Sequence, residues 1–199
     1  MSDYYYEYNR DDTYCYPGSF VLKNKMNIID ETELKIAERE ITVIRLAEIL
    51  ETPIKGKFDF KHFKAIHQYL FADIYIWAGK TRTVDIAKGN LFCRSEFIEE
   101  QATELFAKLH VELGFQGRAQ DEVAKRLAFY LGEINAIHSF REGNGRVQRV
   151  FIDYVADNAG YDWDFGEISG EEMIKASDMA FKKDYRAMEE MFLRTLSKK

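Results

Sequence analysis

Apolar side chains return every three or four residues along most of this chain, and that period commits it to helices packed by one face. Residues 30–51 carry Leu34, Ala37, Ile41, Ile44, Ala47 and Leu50 at those steps. A second stretch, about 60–76, carries Phe63, Ile66, Leu70, Phe71 and Ile74. A third is expected over about 95–113, with Ser95 as its N-cap and Gly114 and Gly117 closing it. The clearest stripe is Val123, Leu127, Leu131, Ile134 and Ile137, over 121–137. Another helix is expected at about 146–158, with Val147, Val150, Phe151, Tyr154 and Val155 inward and Gly160 past its end. Ser169 and Glu172 have capping-box spacing and open the first of two C-terminal helices, which break near Lys183-Asp184.

One segment keeps a different period. Gly79 and Gly89 bracket Thr81-Arg82-Thr83-Val84-Asp85-Ile86, whose alternation predicts a short strand. Lys88-Gly89-Asn90 makes a turn, and Leu91-Phe92-Cys93 returns as a second strand. A two-stranded ribbon is marginal alone and has to lean on the helices. The expected fold class is therefore mostly α, a compact helical fold with a short β-hairpin. The chain, 1–199, reads as one domain without repeat or linker, long enough to bury roughly 70% of its unfolded surface. Its first 18 residues form an arm rich in tyrosine (Tyr4, Tyr5, Tyr6, Tyr8, Tyr14, Tyr16), ending in the turn Tyr16-Pro17-Gly18. Only Arg10 is basic among these rings, so they suit packing over the body better than nucleic-acid stacking.

Composition removes further classes. A net charge of −6, from 28 basic and 34 acidic residues, argues against a broad nucleic-acid face. Cys15 and Cys93 are isolated, which excludes zinc-ribbon spacing and suggests a reducing compartment. No apolar run approaches the ~20 residues of a membrane span. The opening MSDYYYEYNRDD lacks an apolar core, so no signal peptide is expected. The expected location is the cytoplasm, with delivery as an effector the alternative.

Between the two clearest helices lies His138-Ser139-Phe140-Arg141-Glu142-Gly143-Asn144-Gly145-Arg146, followed by Val147-Gln148-Arg149. Helix connections of 2–8 residues are ordinarily bland, and this one is not. Glycines ahead of a helix let backbone N–H groups converge on one point, and the helix N-terminus adds free donors and partial positive charge. Arg146 opposes the helix dipole, a poor place for stability alone. Arg149 projects from the same face, and two guanidiniums with a glycine nest suit a polyphosphate. Glu142 beside phosphates makes sense with a cation between them, as Mg²⁺ is commonly held. His138 closes the preceding helix and could accept a hydroxyl proton. Taken singly, each part has a plainer use: a capping or core histidine, a tight turn, a surface ion pair. Their concentration in nine residues favours a nucleotide phosphate site. His62, His67 and His110 have no such company and read as surface or partly buried helix residues.

The string from His138 to Arg149 resembles the signature of Fic-domain proteins, H-P-F-x-[D/E]-G-N-G-R-x-x-R, at eleven of its twelve positions; Ser139 replaces the proline. The likeness extends to Tyr16-Pro17-Gly18-Ser19 with Leu22-Lys23-Asn24-Lys25, to Trp77-Ala78-Gly79-Lys80-Thr81-Arg82 and to Phe92-Cys93-Arg94. Serine for proline frees the loop's start without removing chemistry.

The resemblance implies a Fic fold and protein AMPylation: transfer of AMP from ATP to a Ser, Thr or Tyr hydroxyl of a target, releasing pyrophosphate. It implies His138 as the base, Glu142 as ligand of Mg²⁺, and Gly143, Asn144 and Gly145 as the anion hole. Arg146 and Arg149 would grip the β- and γ-phosphates, and Phe140 would anchor the loop in the core. Val84, Asp85, Ile86, Ala87, Lys88, Gly89, Asn90, Leu91 and Phe92 would form a flap that docks the target protein by strand addition. The intact E-G-N-G-R run favours nucleotide transfer over the phosphate transfer of Doc-type relatives. UTP or CDP-choline as donor, and a non-catalytic nucleotide-binding module, remain alternatives. Family members restrained by a helix bearing [S/T]-x-x-x-E-[G/N] have no clean counterpart here, since Ser95 to Glu99 is followed by Glu100. Inhibition is thus expected from a separate small antitoxin-like protein; a degenerate helix around Glu38 or Glu40 is the competing idea. No nucleic acid or membrane partner is expected.

Overall fold

The computed structural model describes residues 11–112 and 115–199. The first ten residues, with Tyr4, Tyr5, Tyr6, Tyr8 and Arg10, and the expected helix stop at Gly114 lie outside the described residues.

Seven helices carry the described part: α1 Glu31–Glu51, α2 Phe60–Phe71, α3 Ile98–Glu112, α4 Gln120–Ile137, α5 Asn144–Ala159, α6 Gly170–Phe181 and α7 Arg186–Thr195. Three of them begin where the chain supplies a side-chain cap. Asp30 accepts from the N–H of Glu33 and Asp59 from that of His62, each at 2.8 Å. Ser169 accepts from the N–H of Glu172, but the Glu172 carboxylate turns to Arg194, so only half of the expected capping box forms. Gly160 ends α5 in the left-handed region, as its position requires.

Helix α4 is the hub, packed against α3, α5, α6 and α7. Its stripe of Val123, Leu127, Leu131 and Ile134 is fully or almost fully buried. An aromatic layer of Phe63, Phe106, Phe140 and Phe151 fills the space between α2, α3 and α5. Their ring centroids lie 5.1–5.4 Å apart, spacings at which tilted and T-shaped pairs add to simple burial.

Three departures from the periodicity have local causes. Helix α2 stops at Phe71 instead of continuing to about 76, because the Ala72 and Ile74 carbonyls turn to the side-chain and backbone nitrogens of Lys25. Ser95 does not cap α3: it opens a 3₁₀ turn, Ser95–Phe97, and its N–H donates to Asp85. The stretch 81–86 is not a strand. The hairpin is shorter and later, β1 Ala87–Lys88 against β2 Asn90–Leu91, turning at Gly89 with φ +71°. The stretch before it gives its backbone donors to other partners, Arg82 to the Ser139 carbonyl and Thr83 to the Tyr14 hydroxyl. A second ribbon that the periodicity did not signal pairs β3 Tyr161–Trp163 with β4 Leu196–Lys198 and ties the C-terminal residues to the end of α5. Among the described residues, no helix is long and apolar enough to cross a membrane.

Candidate active site

The loop between α4 and α5 forms the floor of a cavity of about 620 Å³, a volume suited to a small-molecule ligand. His138, Glu142, Gly143, Asn144, Gly145, Arg146 and Arg149 all line it. From the hairpin only Lys88, Gly89, Asn90 and Phe92 reach it; Val84, Asp85, Ile86, Ala87 and Leu91 do not. The far wall went unseen in the periodicity: Phe165 and, from α6, Met173, Ile174, Asp178 and Phe181.

His138 is the C-cap of α4, in the left-handed region at φ +49°. Its ring lies flat on Phe92, 3.8 Å between centroids, and the residue is 8% exposed. Nδ1 lies 3.2 Å from the Asn135 carbonyl. A carbonyl only accepts, so Nδ1 carries the proton and Nε2 keeps its lone pair. Burial holds the imidazole down to about 3, so it is neutral throughout the physiological range.

Beneath the loop the sequence reading needs a correction: His67 is fully buried, not a surface or partly buried residue, as is nearly true of His62 at 4%. Gly79 donates to His67 Nδ1 at 2.8 Å, so Nε2 bears the proton and donates to the Glu142 carbonyl at 3.1 Å. The ring stacks 3.8 Å from Phe140, itself fully buried. His67 thus props the loop from below. Its only trace in the sequence is a histidine on an apolar stripe. His110 is exposed, as expected.

Asn144 is tied to the loop rather than turned into the cavity. Its side chain accepts from the Phe140 N–H at 2.9 Å and donates to the Phe140 carbonyl at 2.7 Å. What it can offer an anion is its backbone. Gly143 is N-cap to α5 at φ +82°, and a Cβ there would meet the Phe71 ring at 2.3 Å, so a side chain is excluded on two counts. Helix α5 has no side-chain cap at its N-terminus. The Gly143 N–H takes the Glu142 carboxylate at 2.7 Å.

The two arginines part company. Arg146 donates to Glu38 of α1 at 2.5 Å, to the Thr42 hydroxyl at 3.2 Å and to Glu142 at 3.4 Å, and its guanidinium lies over the Phe71 ring. Tyr75 donates to the other oxygen of Glu38. Burial alone would lower Arg146, but Glu38 and Glu142 outweigh it and hold the guanidinium above its usual range. Glu142 is pushed up by burial and then by Glu38. Arg149 instead lies over Phe165, 4.7 Å from its ring, with no carboxylate partner among the described residues. Burial, with Arg146 nearby, lowers it. On the same helix Gln148 lines the cavity, and its buried amide nitrogen has no partner among the described residues. Glu38 does come from α1, but it pairs with Arg146 and not with Arg149; Glu40 is exposed, and Glu99 is bound to Lys64 and Thr81.

A neutral histidine, a helix N-terminus without a side-chain cap and a guanidinium with no carboxylate partner among the described residues surround one cavity, an arrangement that suits an anion such as a nucleotide phosphate. The family model described as the Fic/DOC family matches residues 57–156, and the chain belongs to that family. It is 40% identical over 176 residues, 87% of this chain and 90% of the other, to the "probable protein adenylyltransferase y4lH" of Sinorhizobium fredii. It is 42% identical over 168 residues to the "protein adenylyltransferase VbhT" of Bartonella schoenbuchensis, spanning 84% of this chain but 35% of VbhT. Among solved structures, the N-terminal Fic domain of a VirB-translocated Bep effector protein from Bartonella quintana, with bound ADP, superposes at a TM-score of 0.88. That pair is 29% identical, with 95% of this chain and 96% of the other covered.

Proposed function

We propose that this chain, as one Fic domain, transfers AMP from ATP to a hydroxyl of a target protein. The observation that carries the reading is His138, unprotonated at Nε2 and lining the same cavity as the N-terminus of α5 and Arg149. The triphosphate would lie against the N–H groups that open α5, its outer phosphates toward Arg149. Nε2 would take the proton of the target hydroxyl as its oxygen attacks the α-phosphorus. The bond from that phosphorus to the α–β bridging oxygen breaks, and pyrophosphate leaves. Positioning and charge neutralisation supply most of the acceleration. Lys88, Gly89 and Asn90 would meet the target at the rim, where the short hairpin offers an edge for strand addition.

No three His, Cys, Asp or Glu side chains converge to hold a metal among the described residues. Glu142, one carboxylate at the cavity wall, fits a Mg²⁺ ion that takes its remaining ligands from phosphate oxygens and water. When bound, such an ion would neutralise charge on the phosphates. Restraint by a separate small partner protein, and residence in the cytoplasm, belong to the same proposal. The test is paired labelling with candidate targets, using α-labelled and γ-labelled ATP. Transfer of the α label only, lost in His138→Ala, is expected. Transfer of the γ label, or ATP binding with no transfer, would overturn the reading.

A further inference from the structure

We propose that Arg82 is a positioning residue that sets the hairpin in register with the base, His138. The inference rests on the reading of His138 above.

The Arg82 side chain is fully buried. Among the described residues its nearest carboxylate is Asp85, at 4.0 Å and half exposed. A buried charge with so distant a counter-charge is costly, and here backbone carbonyls supply its hydrogen bonds. Nε donates to the His138 carbonyl at 2.9 Å and Nη2 to that of Ile137 at 3.3 Å. Nη1 donates to the Val84 carbonyl at 2.7 Å, and Nη2 also to that of Cys93. The Arg82 backbone N–H takes the Ser139 carbonyl at 2.9 Å.

These carbonyls belong to three places. Val84 precedes β1 and Cys93 follows β2, so the fork holds both roots of the hairpin. Ile137 and His138 are the carbonyl end of α4, and Ser139 begins the loop. A planar guanidinium presents five N–H donors in a fixed fork, so it can hold these groups in one geometry. The consequence falls on His138 from both sides. Its left-handed backbone is held through its own carbonyl, and Phe92, next to Cys93, is held flat on its ring. One side chain thereby fixes the base and the surface that would present the hydroxyl to it.

The test compares the wild-type chain with Arg82→Lys and Arg82→Gln. Four measurements are made: thermal melting, ATP affinity by calorimetry, self-labelling from α-labelled ATP, and the tautomer of ¹⁵N-labelled His138. The histidine signal is assigned by its loss in His138→Ala. Lysine keeps the charge but not the fork, so both variants should fail alike. Both should melt cooperatively and bind ATP within about threefold of wild type, because the α5 N-terminus and Arg149 are untouched. Labelling should fall about 100-fold, the cost of a misplacement near 1 Å. The Nδ1–H signature of His138 should be lost or mixed. A folded Arg82→Lys or Arg82→Gln that keeps the signature overturns the proposal, whatever its labelling. Unfolding of both variants assigns Arg82 to the core and overturns it equally. If His138→Ala labels as fast as wild type, the base reading fails, while the tautomer still reports on Arg82.

Discussion

Arg146 and Arg149 stand three residues apart on α5, both line one cavity, and they meet different neighbours. On the α1 side, Arg146 is held by Glu38 and Thr42, reaches Glu142, and lies over Phe71. On the α6 side, Arg149 lies over the face of Phe165 and has no carboxylate partner among the described residues. The first wall neutralises its charge internally, and the second leaves a charge for a ligand. The two guanidiniums that read as equivalent phosphate grips are therefore unequal. Arg146 is chiefly a strut that fixes Glu142, whereas Arg149 is the group an anion would gain most by meeting.

This inequality can be broken from either side. The largest effect is expected from Arg146→Met, which leaves Glu38 and Glu142 facing each other without their shared cation. Breaking a buried pair in that way costs about 3 kcal/mol of stability, read from urea unfolding midpoints. A loss under ~1 kcal/mol, the range of an exposed pair, would make Arg146 the freer group. Next comes Phe92→Ala, which exposes the imidazole of His138. Its pKa should rise from about 3 toward ~6.5, and an acid limb should appear in the pH–rate profile. The sign follows from burial: it disfavours the cation, so removing it lets protonation silence the base below ~pH 6.5, where the intact chain still works. Glu38→Gln should act more gently. It releases Arg146 toward the phosphates and tightens ATP about two- to fivefold, as one partly freed charge would. The smallest effect is expected where the hairpin meets α6 on the surface, at the 2.9 Å hydrogen bond from Asn90 to Asp178. Asn90→Ala should cost no more than ~1 kcal/mol in thermal melting, because that bond is exposed.

The contrast also explains what could be read without a structure. The helices were legible because each buries one stripe, and His138 to Arg149 were legible because one short connection holds them all. The struts were not. Glu38, His67 and Arg82 reach the loop and the start of α5 from segments at least 56 residues away, Tyr75 backs Glu38, and nothing local distinguishes them from ordinary helix or turn residues. The hairpin was anticipated but misplaced, since the backbone N–H groups of Arg82 and Thr83 go to the Ser139 carbonyl and the Tyr14 hydroxyl rather than to a partner strand. The α6 wall comes from Phe165 and from residues beyond Gly170, which the sequence marks only as parts of a C-terminal helix and the turn before it. The candidate site residues cluster in the chain, whereas those that hold them in place are assembled by the fold.

The division between the two walls is tested most directly by calorimetric titration of ATP into Arg149→Ala and Arg146→Ala, both checked for folding. Arg149→Ala should lose about 10–100-fold in affinity, the worth of one charge-assisted contact with phosphate, and folded Arg146→Ala less than about fivefold. Equal losses, or a larger loss in Arg146→Ala, would contradict it.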